Sequence, residues 1–446
     1  MAKVLTEGNI RKQLIVFAIP VFISAIFSEL YTITNSMIVG NYCSLESLSA
    51  VSAGQWICNI FNFSFYGLGM GAGILVARYY GAKDRDNLKK TIDSVIVFAI
   101  VGGILLTTLS ELFLPQLMRL INIADDIFDA SLSYLRVYLL GNTAVLTYQV
   151  SFFMLRSFGD TKHQLYYSII GSIVNVICGI VFVRVLHMDV VGAALATIIS
   201  QFVIDVLSLR LILNIDEDLK FDIKNISFGF DIIAQVCKLG IPAGIQNMLI
   251  AISSMAVQSY VNMFPNEVIA GIGVGEKVSG WGQTFSYTCA SGTMALVAQN
   301  MGAKKYDRVQ ETIKESMFLT TIMTIISIIA ICIFAPQLIS LFNDNPQVIE
   351  FGAETIRYSA WSFFFLNWSH VYNGACRGAG NVKIPMCIAI FGQVICKYLF
   401  VLIGLKFNFD VHILYLGTAF GFAVAGILAS CYYHFSKWCK ENGLRT

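Results

Sequence analysis

Long apolar stretches alternate with short polar ones along almost the whole chain. Twelve can be drawn, near 14–39, 47–78, 92–113, 132–156, 164–186, 190–213, 233–262, 268–300, 312–334, 350–376, 384–405 and 411–436. Each has the length, about 20 residues or more, at which a helix crosses a ~30 Å hydrocarbon layer. An even number of spans puts both termini on one side. The pattern predicts an all-α integral membrane protein with twelve transmembrane helices in two six-helix, pseudo-symmetric lobes. The longest polar break, "NIDEDLKFDIKNISFGFD" (214–231), is read as a linker between an N-lobe (1–213) and a C-lobe (232–446).

The two halves repeat. "LVARYYGAKDRDNLKKTI" (75–92) matches "LVAQNMGAKKYDRVQETI" (296–313), "FLPQLMRLI" (113–121) matches "FAPQLISLF" (334–342), and "RSFGDTK" (156–162) matches "RGAGNVK" (377–383), all at one offset of 221. Pro20 and Pro242 pair at 222. Six spans per copy give both halves the same orientation, related by an axis along the membrane normal with a substrate site at their interface.

Charge sets the side. Most of the 30 Lys and Arg fall at the termini or in the loops after even-numbered spans. The exceptions are Arg119, Arg136, Arg184, Arg357 and Lys406, with Lys277 and Lys397 inside spans. Positive charge stays inside, so both termini and the linker are predicted to be cytoplasmic, in a cell membrane.

Composition agrees. Hydrophobic residues make up 56% and charged residues 13%, about half the ~25% of soluble domains. A net charge of +2 gives no reason to expect nucleic acid as a partner. The 11 Cys form no C-x-x-C pair, so neither a metal site nor a disulfide framework is indicated. "GIGVG" (271–275) lacks a surrounding strand–turn–helix unit, and there is no Walker loop. No nucleophile–base constellation appears, so no enzyme and no cofactor are expected.

Candidate chemistry is sparse. Glu29 stands inside span 1, about 22 Å along the helix from Leu14. A carboxylate in mid-membrane costs about 2.5–3.5 kcal/mol on insertion scales. It persists if neutral, paired or facing water, so Glu29 is either a titrating coupling acid or a structural residue bonded to hydroxyls such as Ser24 and Thr32. Lys277 and Lys397 are the intramembrane cations, and His370 is a further titratable group in span 10. Tyr138, Asn142 and Gln149 in span 4, Asn367 and His370 in span 10, Gln246 and Gln258 in span 7, Lys277 in span 8 and Lys397 in span 11 are candidate cavity residues. Aromatic faces attract cations, and amides orient ligands without fixing one shape.

These motifs together resemble the MATE family of multidrug and toxic compound extrusion transporters, of the MOP flippase superfamily. The resemblance rests on "AIPVFISAIFSELYTITNSMIVGNY", "GLGMGAGILVARYYGAKD", "FGDTK", "VVGAALATIISQ", "GIPAGIQNML" and "GACRGAGNVKIPM". It implies secondary active export of cationic or amphipathic organic compounds by proton- or sodium-coupled antiport, with alternating access. The implied partners are a small organic cation and the bilayer, with the chain acting as a monomer. A lipid-linked sugar flippase of the same superfamily is the alternative. The chain departs from the family pattern in span 1, where Asn35 stands in place of an aspartate. In span 5 the asparagine matching Asn175 is followed four residues later by Gly179 rather than an aspartate. Glu29 stands where relatives commonly have a glutamine. Glu29, Asn35 and Asn175 are therefore the coupling-ion candidates, with Glu29 expected to carry the titration.

Overall fold

The computed structural model describes residues 4–120, 123, 125–215, 226–408 and 410–445. The middle of the predicted linker, 216–225, lies outside them. Among the described residues all regular structure is helical. The first six spans are α1 (Ile10–Tyr42), α2 (Leu45–Ala82), α3 (Arg85–Leu120), a broken pair α4 (Phe128–Leu140) and α5 (Asn142–Ser157), α6 (Thr161–Gly179) with a π-helical turn at Ile180–Val185, and α7 (Asp189–Leu213). The next three are α8 (Phe230–Val261), α9 (Asn266–Gly302) and α10 (Tyr306–Ile333), followed by the short α11 (Ala335–Ser340). The tenth is a second broken pair, α12 (Pro346–Ala360) and α13 (Phe363–Gly378). The eleventh is α14 (Lys383–Ile390), a π-helical turn at Phe391–Cys396, and α15 (Lys397–Phe407); the twelfth is α16 (Val411–Phe435), trailed by α17 (Lys437–Glu441). Nine of the described helices are long and apolar enough to cross a membrane as unbroken rods. The two broken pairs and the more polar α9 complete the twelve.

The repeated motifs are helix ends. Gly159 and Gly380 both adopt positive φ, 70° and 97°, a region open to glycine at little steric cost. Each closes a Schellman end: Asp160 N–H donates to Leu155 C=O (3.0 Å) and Asn381 N–H to Cys376 C=O (2.9 Å). The next side chain then caps the following helix, Asp160 accepting from His163 N–H at 3.2 Å and Asn381 from Ile384 N–H at 3.3 Å. Lys83 and Lys304 repeat the device after α2 and α9, both at φ 57°.

The chain forms two compact units that do not follow the sequence boundary at 213 and 232. One, the N-lobe, comprises Met1–Val4 and Ile19–Gly244; the other, the C-lobe, comprises Leu5–Ala18 and Ile245–Thr446. In the N-lobe α8 begins by packing on α2. A Cβ on Gly67 would lie 2.5 Å from Gly240 O, so these backbones touch directly, a contact only small residues allow. The same unit holds the linker's end: Ser227 N–H donates to Asp93 Oδ2 (3.1 Å) and Gly229 N–H to Ser94 Oγ (2.9 Å). In the C-lobe the start of α1 packs on α9, with Phe17 against Gly292. The strand of chain before it is clamped, Leu5 N–H donating to Gln299 Oε1 (2.9 Å) and Lys305 to Thr6 C=O (2.9 Å). Pro20 and Pro242 sit just where α1 and α8 pass from one packing to the other.

The two π-helical turns set register. Such a turn holds one extra residue inside a helix. Phe391–Cys396 adds its residue before Lys397, and Ile180–Val185 adds one in the N-terminal copy. The repeat offset is 221 at Lys162 and Lys383. It becomes 222 past the first of these turns and returns to 221 past the second.

Candidate functional site

Each lobe contains its own cavity. The N-lobe cavity, about 540 Å³, is lined by Tyr31, Thr32, Asn35, Ser36 and Val39 of α1, by Val51, Ser52, Gln55, Trp56, Asn59 and Asn62 of α2, and by Tyr134, Tyr138, Thr197 and Gln201. On α1 and α2 these positions recur every three or four residues, so they form single stripes on their helices. The polar groups are knitted together. Tyr31 OH donates to Thr197 Oγ1 (3.1 Å), Asn62 Nδ2 to Tyr138 Oη (3.2 Å), and Gln55 Nε2 to Asn59 Oδ1 (3.2 Å). Two acceptors are left over: Asn35 Oδ1 and Gln201 Oε1 are buried with no hydrogen-bond partner. Among the described residues no carboxylate lines this cavity.

The C-lobe cavity, about 340 Å³, is lined by Ile250 and Ser254 of α8, Ile272, Glu276, Ser279, Gly280 and Gln283 of α9, and Thr355, Ser359, Phe363, Leu366 and His370 of the broken pair. Gln393, Lys397, Leu414, Tyr415, Thr418 and Phe422 close it. The π-helical turn delivers Gln393 and Lys397, four residues apart, to the same wall. Lys397 is 8% exposed, and its Nζ lies 3.5 Å from Ser254 Oγ.

The two cavities are copies. Adding 221 to Val51, Gln55, Asn59, Asn62, Tyr134, Tyr138, Thr197 and Gln201 gives Ile272, Glu276, Gly280, Gln283, Thr355, Ser359, Thr418 and Phe422, every one a C-lobe lining residue. The fold makes a hollow in each half, and the side chains have diverged within it. The N-lobe copy is neutral and rich in amides; the C-lobe copy carries Glu276, Lys397 and His370.

Sequence reasoning found part of this. Asn35 and Tyr138 line the N-lobe cavity, and His370 and Lys397 the C-lobe cavity. The other candidates lie elsewhere. Asn142 is buried against α3, donating to Ser110 Oγ at 3.3 Å. Gln149 lines neither cavity. Asn175 is 1% exposed, buried within its lobe. Gln246 accepts a 2.6 Å bond from Arg377 Nη2, and Asn367 donates to Thr321 Oγ1 at 3.4 Å. Gln258 is exposed and bonded along its own helix to Asn262 at 2.9 Å. Lys277 is exposed and is not among the residues lining the cavity that its neighbour Glu276 lines.

Glu29 lines neither cavity and is exposed on α1. The hydroxyls suggested as its partners are used on their own helix, Ser24 on Pro20 C=O (2.8 Å) and Thr32 on Ser28 C=O (3.0 Å). Neither Asn35 nor Asn175 bonds to it. Glu29 does share a face with the cavity stripe, since seven residues turn a helix back to within about 20° and Ser36 lies about 10 Å further along. Gln55, Asn59, Asn62 and Gln201 were not singled out from the sequence, nor Glu276 as a lining residue. Part of the signal was there: Gln55, Asn59 and Asn62 of span 2 stand at helical spacing, and Gln55 and Asn62 have polar partners, Glu276 and Gln283, 221 residues on.

Comparison with known proteins decides the family. The MatE family model matches twice, over residues 20–181 and 242–403. The chain belongs to the MATE family. It is thus a multi-pass membrane transporter, and the twofold match to one model is the repeat seen in the sequence. Among curated MATE relatives, "Probable multidrug resistance protein YoeA" of Bacillus subtilis is 24% identical over 98% of this chain and 96% of its own length. The multidrug export protein MepA of Staphylococcus haemolyticus is 23% identical over 89% of this chain and 88% of its own. Among solved structures, one described as an outward-facing multidrug resistance MATE transporter superposes with a TM-score of 0.90 at 19% identity, covering 98% of this chain and 97% of that one. A MOP superfamily transporter from Pyrococcus furiosus, described as having a binding pocket of reverse polarity, gives 0.88 at 20% identity, with the same coverage. These confirm the twelve-helix, two-lobe MATE fold. Among the described residues no cluster of three His, Cys, Asp or Glu gathers to hold a metal.

Proposed function

We propose that this MATE transporter exports organic cations and amphipathic compounds across the cell membrane, in antiport with protons or sodium, by alternating access. The N-lobe cavity is the observation that carries the reading. Its two unpartnered acceptors, Asn35 Oδ1 and Gln201 Oε1, suit a donor such as a protonated amine. Tyr31, Trp56 and Tyr138 supply aromatic faces on the same walls, each worth about 0.5–2 kcal/mol to a cation. The names of the curated relatives, which speak of multidrug export and resistance, support the same substrate class.

Coupling by protons needs a titratable group, and among the described residues the N-lobe cavity wall offers no carboxylate. Glu29, on the α1 stripe that leads to the cavity, is the group we assign to it. The charge distribution supports a cytoplasmic position for both termini, and the chain is taken to work as a monomer without a cofactor.

Proteoliposomes loaded with ethidium test the reading. Imposing a pH or sodium gradient should drive ethidium movement that collapses with an ionophore for the same ion. If neither gradient moves ethidium, coupled export of organic cations is wrong.

A further inference from the structure

The C-lobe cavity carries charged groups that the described lining of its N-lobe copy lacks. Lys397 is nine-tenths buried and lines the cavity, yet its hydrogen bond to Ser254 Oγ is long at 3.5 Å. Among the described residues no ion pair reaches it; Glu276 lines the same cavity, on its exposed side, without closing one. Three further groups on these walls, Ser279 Oγ, His370 Nδ1 and Tyr415 Oη, are buried with no hydrogen-bond partner. An ammonium and a hydroxyl both donate, and imidazole Nδ1 donates in one of its tautomers. Leaving such donors dry and unmatched is costly. Here they converge on one space, whereas the leftover groups of the N-lobe copy are acceptors.

We propose that the C-lobe cavity is a binding site for an aromatic carboxylate. The carboxylate would accept from Lys397 Nζ and Ser279 Oγ, while the ring packs against Phe363 and Tyr415, both buried. A volume of about 340 Å³ falls in the range of small-molecule pockets. Glu276 leaves room for a cationic substituent at the exposed side, so a zwitterion fits better than a simple anion. The inference extends the export reading to a second ligand class, but binding alone is enough to test it.

Purified full-length protein in lipid nanodiscs is titrated by calorimetry with naphthoate, its methyl ester and naphthylmethylamine. Naphthoate should bind at least about tenfold tighter than the ester, since the ester keeps the ring but loses the charged hydrogen bond. Lys397→Met should weaken naphthoate roughly 10- to 100-fold, Lys397→Arg should retain most of the binding, and Ser279→Ala should lose less. Equal binding of acid and ester, or a folded Lys397→Met that binds naphthoate like the parent, overturns the proposal. Should Lys397→Met fail to fold, the acid–ester comparison on the parent protein decides alone. Ethidium transport is measured separately: naphthoate binding without ethidium transport sinks the export reading only, and the reverse sinks this one only.

Discussion

Lys397 and Asn175 occupy the same place in the two halves, 222 residues apart, yet Lys397 opens into a cavity and Asn175 is sealed inside its lobe. The residues ahead of Asn175 are ordinary α-helix, while those ahead of Lys397 form the π-helical turn Phe391–Cys396. One extra residue rotates the next stretch of helix by about 100°, so the place that Cys396 would take at the offset of 221 goes to Lys397. A buried amide then becomes, in the other copy, an ammonium facing a cavity.

Glu29→Gln keeps the shape of the side chain and removes its proton. Ethidium export driven by a pH gradient alone should fall at least about tenfold, while ethidium binding stays within about twofold. Asn35→Asp in that background places a carboxyl on the cavity wall and should restore a pH-dependent rate. Glu29→Gln transporting like the parent under a pure pH gradient would assign coupling to sodium or to the C-lobe.

Gly67→Ala forces a methyl group onto Gly240 O, 2.5 Å from the ideal Cβ position. Overpacking of this kind costs about 1–3 kcal/mol, so the melting temperature in detergent should drop by several degrees. Gly40→Ala, where the added Cβ meets nothing within 4 Å, should be neutral or slightly stabilising, since alanine favours helix by up to about 1 kcal/mol. Equal melting temperatures for the two variants would show that α2 and α8 do not pack through Gly67.

Asp410 caps α16, accepting from His412 N–H at 3.0 Å and facing His412 Nδ1 at 2.6 Å. These two bonds from His412 hold its carboxyl below the ordinary value of 3.8. The depressed value sets the sign. Asp410 contributes its full stabilisation above the unfolded-state pKa, and loses it as pH falls through the lower folded one. Asp410→Ala should therefore destabilise at pH 7 by about 0.5–2 kcal/mol, the usual worth of a helix cap, and the gap to the parent should close in strong acid. Thermal unfolding measured from pH 7 down to pH 3 checks it, and a gap that widens on acidification would contradict the assignment.

Sidedness can be read with cysteines placed in a background lacking the 11 native ones. Lys83→Cys, at the exposed end of α2, should react with a membrane-impermeant maleimide only after the cells are opened. Asn343→Cys, exposed in the turn before α12, should react in intact cells. The opposite pattern would invert the topology drawn from positive charge.

The sequence by itself determined how many spans there are and that they come in two copies. Length and hydropathy suffice for the first, and a constant offset for the second. It also pointed to Asn35, Tyr138, His370 and Lys397. Only the tertiary structure decided which polar residues share a cavity. A residue's type does not tell which way its helix is rotated. That rotation is set by contacts from distant parts of the chain, such as Gly67 against Gly240, and by single residues wound into π-helical turns. This is why Gln55, Asn59 and Gln201 came to the N-lobe cavity unannounced. It is also why Asn142, Asn367 and Gln246, equally polar and equally intramembrane, turned instead to partners on neighbouring helices. Glu29 stayed on the cavity's side of α1 but less than one turn short of Tyr31 and Thr32, where the lining begins, since a stripe fixes the face of a helix and only packing fixes where along it the hollow opens.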